Sequence, residues 1–586
     1  MSRLSKLRRF VRVLTVLGSL ALLLAAAGIA GLWLLHGQAS MRTYRSPMRS
    51  QPQSTGHTTT PLARQVVLII VDGLRDDAVA SMPNLSSLRR QGASARALLR
   101  APSLSQPAWT TIVTGAWPEI NGAPLINVPE AELAPISVDT IFAAARRANL
   151  STALAGGSWW ERMVPRDLLD AVASVEGSGP AADRQATDAA IRFLRNFQPA
   201  FLLVHLGNVD SVAHDSGALS QACHEATLEA DRQIGDIAAA MDLRNSVLIV
   251  CSDHGHIDRG GHGGPDPSVT TTPFVALGGP IIPGDCGTIA QVDIAPTIAA
   301  ILGAPMPRLN QGNICFAMLR CDDAKRAETQ VELALQRQEL ANLYLASIGR
   351  GSLSDTAEGD VTVALSSLEV RNLESAFRLA SLAVERIDRE VAQARSDRIR
   401  RERSLRLPVA AGFIGAPLAL LALRGGRRGR WLFLSAAATL LAYHALFVLE
   451  DGVYSISGIT GMRPFVDAIV RRTVAASAIG GLLVLWRLAR DQEGSALEVI
   501  QTSLAYSLLV VYLLGCQAAV VYWLNGFRFT WYVPDLGIAF WQVTALVQVL
   551  ICGALALVLP VILLLAGLAY QGMTAVARRL RAAGGS

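Results

Sequence analysis

The chain has 586 residues, room for more than one domain, and with 51% hydrophobic residues and a mean hydropathy of +0.34 it is too apolar to be water-facing throughout. The net charge of +6 does not point to nucleic acid. The basic excess flanks apolar runs (Arg3, Lys6, Arg8, Arg9, Arg12; Arg424, Arg427, Arg428, Arg430; Arg578, Arg579, Arg581), as in clusters that fix membrane orientation, and no basic stripe is interleaved with aromatics.

In chain order, Val11 to Leu35 carries no charge and exceeds the roughly 20 residues needed to cross a bilayer. It is longer than the roughly 7–15 residue apolar region of a cleaved signal, so residues 1–40 read as a cytoplasmic tail and uncleaved anchor. Residues 41–63, rich in Ser, Thr, Pro, Gln and Arg, read as a flexible tether. Over 64–320 apolar strands alternate with amphipathic helices, which predicts an α/β fold with a mostly parallel sheet flanked by helices. Residues 324–405 read as a charged helical hairpin around a Gly/Ser/Asp-rich turn.

Residues 406–586 hold about five further apolar runs: Leu407–Leu423, Trp431–Leu449, Val466–Trp486, Val499–Leu524 and Ile538–Tyr570. The segments Arg424–Arg430 and Arg487–Arg490 and the C-terminal tail are Arg-rich and therefore internal. Glu450–Arg463 and Asn525–Gly537 carry aromatics and few basic residues, as external loops do. Six spans with both termini cytoplasmic and the α/β domain extracytoplasmic satisfy every loop. Only Lys6 and Lys325 are lysines, a bias of GC-rich bacterial genomes; the external face is then periplasmic, or the ER lumen in a eukaryote. Cys516 and Cys552 fall in apolar runs, and Cys286, Cys315 and Cys321 offer one disulfide if that face is oxidising.

The chemistry gathers behind the strands. Gln65 to Val71 leads into Asp72-Gly73, Phe201 to His205 into Asp210 and His214, and Ser246 to Cys251 into Asp253-His254-Gly255; His262 lies in the run Gly260 to Gly264. Active sites of open α/β sheets lie at the carboxyl ends of the strands, so one rule collects all these groups. Three aspartates at that density repel one another unless a cation intervenes, and mixed carboxylate and imidazole donors suit zinc, with manganese or another first-row metal as the alternative. Pro107 suits the first turn of a helix running to about Thr114, which leaves Ser105 at its cap. There the helix dipole favours an alkoxide and a bound phosphate, although a serine also serves there as a plain N-cap.

The set Asp72-Gly73, Ser105 before Pro107, Thr111 to Gly115, Asp210-x-x-x-His214, Ser252 to Gly255 and Gly261-His262-Gly263 resembles the alkaline phosphatase superfamily. Within it, the chain is similar to the nucleotide pyrophosphatase/phosphodiesterases and to the ethanolamine phosphate transferases of GPI-anchor synthesis, which share the layout of one N-terminal span, an external catalytic domain and many C-terminal spans. The resemblance implies two divalent ions, one on Asp210, His214 and His262 and the other on Asp72, Asp253, His254 and Ser105. It further implies a phosphoserine formed on Ser105, with Asn127, one residue out of the family's spacing, donating to a phosphate oxygen. Trp109 stands where sulfatases carry Arg, which disfavours sulfate esters.

Six spans exceed what a soluble substrate requires, so a membrane lipid donor of a headgroup such as phosphoethanolamine and a lipid-linked or glycolipid acceptor are the expected partners. Arg471 and Arg472, beside Asp467 at the external end of the fourth span, could hold a lipid phosphate or simply lie at the interface. Trp159 and Trp160 could cover substrate or belong to the core. A hydrolase using water on a nucleotide or phospholipid shares every ligand. A silent membrane scaffold predicts a broken ligand set, and none of the six metal-type positions is broken.

Overall fold

Gln65–Val71 (β1) is Val, Leu or Ile at every position after Gln65, so it can be buried on both faces, and it is. Alternate residues enter different cores: Val66, Leu68 and Ile70 on one face of the sheet, Val67, Ile69 and Val71 on the other. Each such side chain contributes about 1.5–3 kcal/mol by burial. These relationships come from a computed structural model that describes residues 3–53, 58–490, 495–529 and 531–583. The side chains of Arg3, Lys6, Arg8, Arg9, Arg578, Arg579 and Arg581 lie outside the described ones.

The remaining strands are Ala93–Leu98 (β2), Thr152–Gly157 (β3), Ala171–Val175 (β4), Phe201–Leu206 (β5), Ser246–Cys251 (β6), Thr271–Gly278 (β7) and Gly284–Ala290 (β8). They form one sheet in the order β4-β3-β5-β1-β6-β7-β2-β8. The expected mostly parallel, helix-flanked sheet is the one observed. Only β7 runs against its neighbours β6 and β2.

Two connecting segments differ from expectation. The first helix continues to Arg42, and the stretch read as a tether is docked, not free. Ser46 Oγ donates to the Glu119 carbonyl (2.9 Å), and Thr59 and Leu62 N–H donate to Gly303 (2.9 Å) and Ile301 (2.8 Å). Those last carbonyls are the unpaired ones at the end of helix Ile294–Leu302, a ready acceptor set for an extended chain. Residues 54–57 of the segment lie outside the described ones. The helical hairpin is three helices, Asp323–Ser347, Asp355–Glu369 and Leu373–Arg424. Ser354 and Asn372 cap the second and third, side-chain signals that sequence periodicity passes over. The third runs unbroken into the membrane segment through Pro408 and Pro417.

Among the described residues six helices are long and apolar enough to cross a membrane: Phe10–Arg42, Leu373–Arg424, Gly426–Leu449, Met462–Arg490, Ala496–Asn525 and Ala539–Ile562. Their Arg-rich ends meet one another, Arg12 pairing with Glu498 (3.1 Å) and Arg428 bonding Thr502. At the opposite ends, the loops after Leu449 and after Asn525 face the α/β domain and its helical extension. Ser455 and Ser457 donate to Asp266, and Trp531 Nε1 donates to Glu402 (2.8 Å). All seven cysteines are free thiols, so the expected disulfide among Cys286, Cys315 and Cys321 is not formed.

Candidate metal centre and active site

The register of the three central strands sets the site. Ile70 of β1 pairs with His205 of β5 and with Cys251 of β6, so the residues just beyond all three strands emerge at one level. Asp72 follows β1 directly. After β5, helix Asn208–Ser216 carries Asp210 and His214 on one face, with His214 Nε2 3.4 Å from Asp210 Oδ1. Its first turn is tied down by buried Asp183, whose carboxylate accepts from Gly207 N–H (2.8 Å) and Asn208 N–H (3.1 Å). After β6, Asp253 Oδ1 accepts from Gly73 N–H (3.2 Å) and His254 N–H (2.9 Å), which leaves Oδ2 for the cluster.

The imidazoles are held by their far nitrogens. His254 Nδ1 faces the Gly255 carbonyl (3.2 Å), His256 Nδ1 the Gly260 carbonyl (2.8 Å) and His262 Nδ1 the Ser103 carbonyl (2.9 Å). A carbonyl only accepts, so each Nδ1 carries the proton and each Nε2 presents a lone pair to the carboxylates, as in metal-binding histidines. Ser105 Oγ lies 3.2 Å from His254 Nε2. Leu104, not Ser105, is the N-cap: Ser105 is the first residue of helix Ser105–Thr114 and makes no capping hydrogen bond. The hydroxyl keeps its place at the positive helix end and is not consumed by the helix.

The electrostatics are those of a cation site. Burial and then the neighbouring carboxylates of Asp253 and Asp210 hold Asp72 well above the usual carboxylate range, and burial with Asp210 pushes Asp253 up to about 7. Asp210 is only partly buried, and the histidines around it, His214 first, hold it well below that range despite its own desolvation. Burial lowers His262 to about 4 and holds His254 well below the usual imidazole range, which favours the neutral ring in both. Among the described residues, the buried carboxylate oxygens without a hydrogen-bond partner are Asp72 Oδ1, Asp210 Oδ1 and Asp253 Oδ2, joined by His256 Nε2. Such atoms are costly to bury unmatched, and their convergence fits divalent ions. Donor atoms of Asp72, Asp253 and His254, of Asp210, His254 and His262, and of Asp210, His214 and His256 each lie within 4.8 Å of one another.

All six metal-type residues read from the sequence therefore meet in one cluster beside Ser105. The other candidates divide. Asn127 is pinned near the same helix end, its Oδ1 accepting from Gln106 N–H (3.1 Å). Trp159 lines a cleft of about 230 Å³ together with Asp72, Ser105, Glu130 and Asp210. Trp160 is fully buried core, packed with Trp109 and His205. Arg472 pairs with Glu450 (2.7 Å) over the Phe447 ring, whereas Arg471 and Asp467 are exposed, so the two arginines do not share one site.

Two participants escaped the sequence reading. His205, neutral because burial lowers it to about 3, has Nε2 3.1 Å from Asp72 Oδ2 and is walled by Trp109, Trp159 and Trp160. It fixes Asp72 with Oδ1 inward. His256 stands two residues after His254, a spacing visible in the sequence but without a place in the motif. The loop bearing His262 is gripped from the membrane side. A Cβ on Gly261 would lie 1.9 Å from the Ser457 carbonyl, so only glycine admits that approach.

A family model for type I phosphodiesterase / nucleotide pyrophosphatase matches residues 66–124 and 135–260. The chain is 25% identical over 299 residues to the human GPI ethanolamine phosphate transferase 2, catalytic subunit, across 47% of this chain and 30% of that protein. It is 26% identical over 304 residues to the GPI ethanolamine phosphate transferase 2 of Aspergillus fumigatus, across 46% of this chain and 40% of that one. The matched part thus spans less than half the length of these curated relatives. Murine ectonucleotide pyrophosphatase / phosphodiesterase 5 aligns at 13% identity with a TM-score of 0.33, over 41% of this chain and 96% of that structure. The resemblance read from the motifs stands on the family match and the curated relatives.

Proposed function

We propose, with the relationship to type I phosphodiesterases and GPI ethanolamine phosphate transferases as premise, that the chain is a metal-dependent phosphotransferase of the external membrane face. It moves phosphoethanolamine from a membrane phospholipid to a lipid-linked glycan acceptor. The observation that carries the reading is Ser105: an uncapped hydroxyl at a helix N-terminus, beside three carboxylates that each present a buried, unmatched oxygen. Asp210, His214 and His262 would hold one divalent ion and Asp72, Asp253, His254 and Ser105 the other. When bound, such ions, zinc by the donor set, lower the pKa of a hydroxyl and neutralise charge on the phosphoryl oxygens.

Ser105 Oγ gives up its proton and bonds to phosphorus as the bond to the lipid alcohol breaks, the departing oxygen taking a proton. An acceptor hydroxyl then displaces Ser105 by the same sequence reversed. The N-terminal amides of helix Ser105–Thr114 attract the anionic phosphate, and His205 keeps Asp72 turned inward. Trp159 forms an apolar wall of the cleft, suited to a substrate part without charge. The six membrane-length helices support a lipid donor, since one anchor suffices for a soluble substrate.

The match to a phosphodiesterase family favours one alternative, in which water replaces the acceptor hydroxyl. Purified protein given headgroup-labelled phosphatidylethanolamine, with and without a glycolipid acceptor, separates them. Label on the glycolipid supports transfer; label released only to water overturns it.

A further inference from the structure

The geometry points to His256 as a direct ligand of the ion held by Asp210 and His214, completing with His262 a shell of three imidazoles and one carboxylate. This rests on the two-metal reading above but adds a residue outside the motif. Nδ1–H of His256 is committed to the Gly260 carbonyl at 2.8 Å, so Nε2 carries a lone pair. That lone pair faces Asp210 Oδ1 at 3.0 Å, and both atoms are buried without a hydrogen-bond partner. Two acceptors at this distance repel unless something positive lies between them.

Four donor separations are short enough for a shared ion. Asp210 Oδ1 lies 3.0 Å from His256 Nε2, 3.4 Å from His214 Nε2 and 3.6 Å from His262 Nε2, and the last two nitrogens are 2.9 Å apart. Adjacent donors on a tetrahedral zinc with bonds of about 2.0–2.1 Å sit about 3.3 Å apart. Room for the imidazole comes from Gly73, whose φ of 73° already suits glycine and where a Cβ would lie 2.5 Å from His256 Nε2. Three imidazoles also select zinc over manganese.

The other candidate between the two acceptors is a proton, which would make His256 a hydrogen-bond donor to Asp210 and no ligand. Two variants of the full-length protein in detergent separate these. His256→Asn keeps a donor for Gly260 but has nothing to reach Asp210; His256→Gln can donate to Asp210 yet is a poor ligand. Bound zinc is counted by mass spectrometry after dialysis against a graded chelator, with the thermal midpoint recorded alongside. Wild type should retain two ions, and both variants should bind one of them at least about tenfold more weakly while keeping the other, whose retention reports an intact fold. His256→Gln holding both ions as wild type does would overturn the assignment. Wild type binding no divalent ion would instead remove the two-metal reading itself.

Discussion

At the scale of single residues, the site works by leaving chosen atoms unmatched. Ser105→Ala removes only the oxygen proposed to attack, so transfer should fall by at least about 10³-fold with the fold and the Asp210-side ion retained; activity and zinc content measured on one sample check this. His205 touches Asp72 and not the cluster's centre, so His205→Gln should cost about 10–100-fold in affinity for the Asp72-side ion, read by chelator competition. The raised pKa of Asp253, about 7, sets a pH dependence. Below that value the ion-free site holds a proton that an ion must displace, so affinity should fall by about tenfold per pH unit per proton between pH 7 and 6. Metal titrations at pH 6 and pH 8 provide the measurement. Asp72, Asp210 and Asp253 were legible in the sequence because each stands within a few residues of the end of an apolar strand. His205 was not, because its role depends on the neighbouring strand bringing Asp72 beside it.

At the scale of elements, the loop carrying His262 depends on a partner distant in sequence. Ser455 and Ser457, on the loop after Leu449, both donate to Asp266 Oδ2, and Ser457 Oγ accepts from Gly264 N–H (2.9 Å). Asp266→Ala should leave the ligands in place and loosen their loop by about 2–3 kcal/mol. Hydrogen exchange over residues 255–264 should then rise, with zinc released faster; unchanged exchange would mean the latch contributes nothing. The strands and helix Ser105–Thr114 were legible from apolar runs and Pro107. The latch was not, since the run Gly260 to Gly264 reads as a flexible turn until the Ser457 carbonyl is seen against Gly261. The tether was misread for a similar reason: its polar composition suits water, but its donors meet the free carbonyls of helix Ile294–Leu302.

At the scale of the whole molecule, a cluster at the ends of β1, β5 and β6 is mounted against the loops of a bundle of membrane-length helices, and His262 sits on the loop between them. The Arg-rich ends that carry Arg12 and Arg428 lie at the far end of the bundle from that domain. In the proposed reaction a membrane phospholipid passes its headgroup phosphate to Ser105. The direct measurement is mass spectrometry of the protein quenched early in a reaction with phosphatidylethanolamine and no acceptor, followed by peptide mapping. A phosphoethanolamine adduct on the Ser105 peptide, absent after chelation and in Ser105→Ala, is the predicted result. Headgroup transfer to acceptor in full while no adduct ever forms, or an adduct on any other residue, would contradict it.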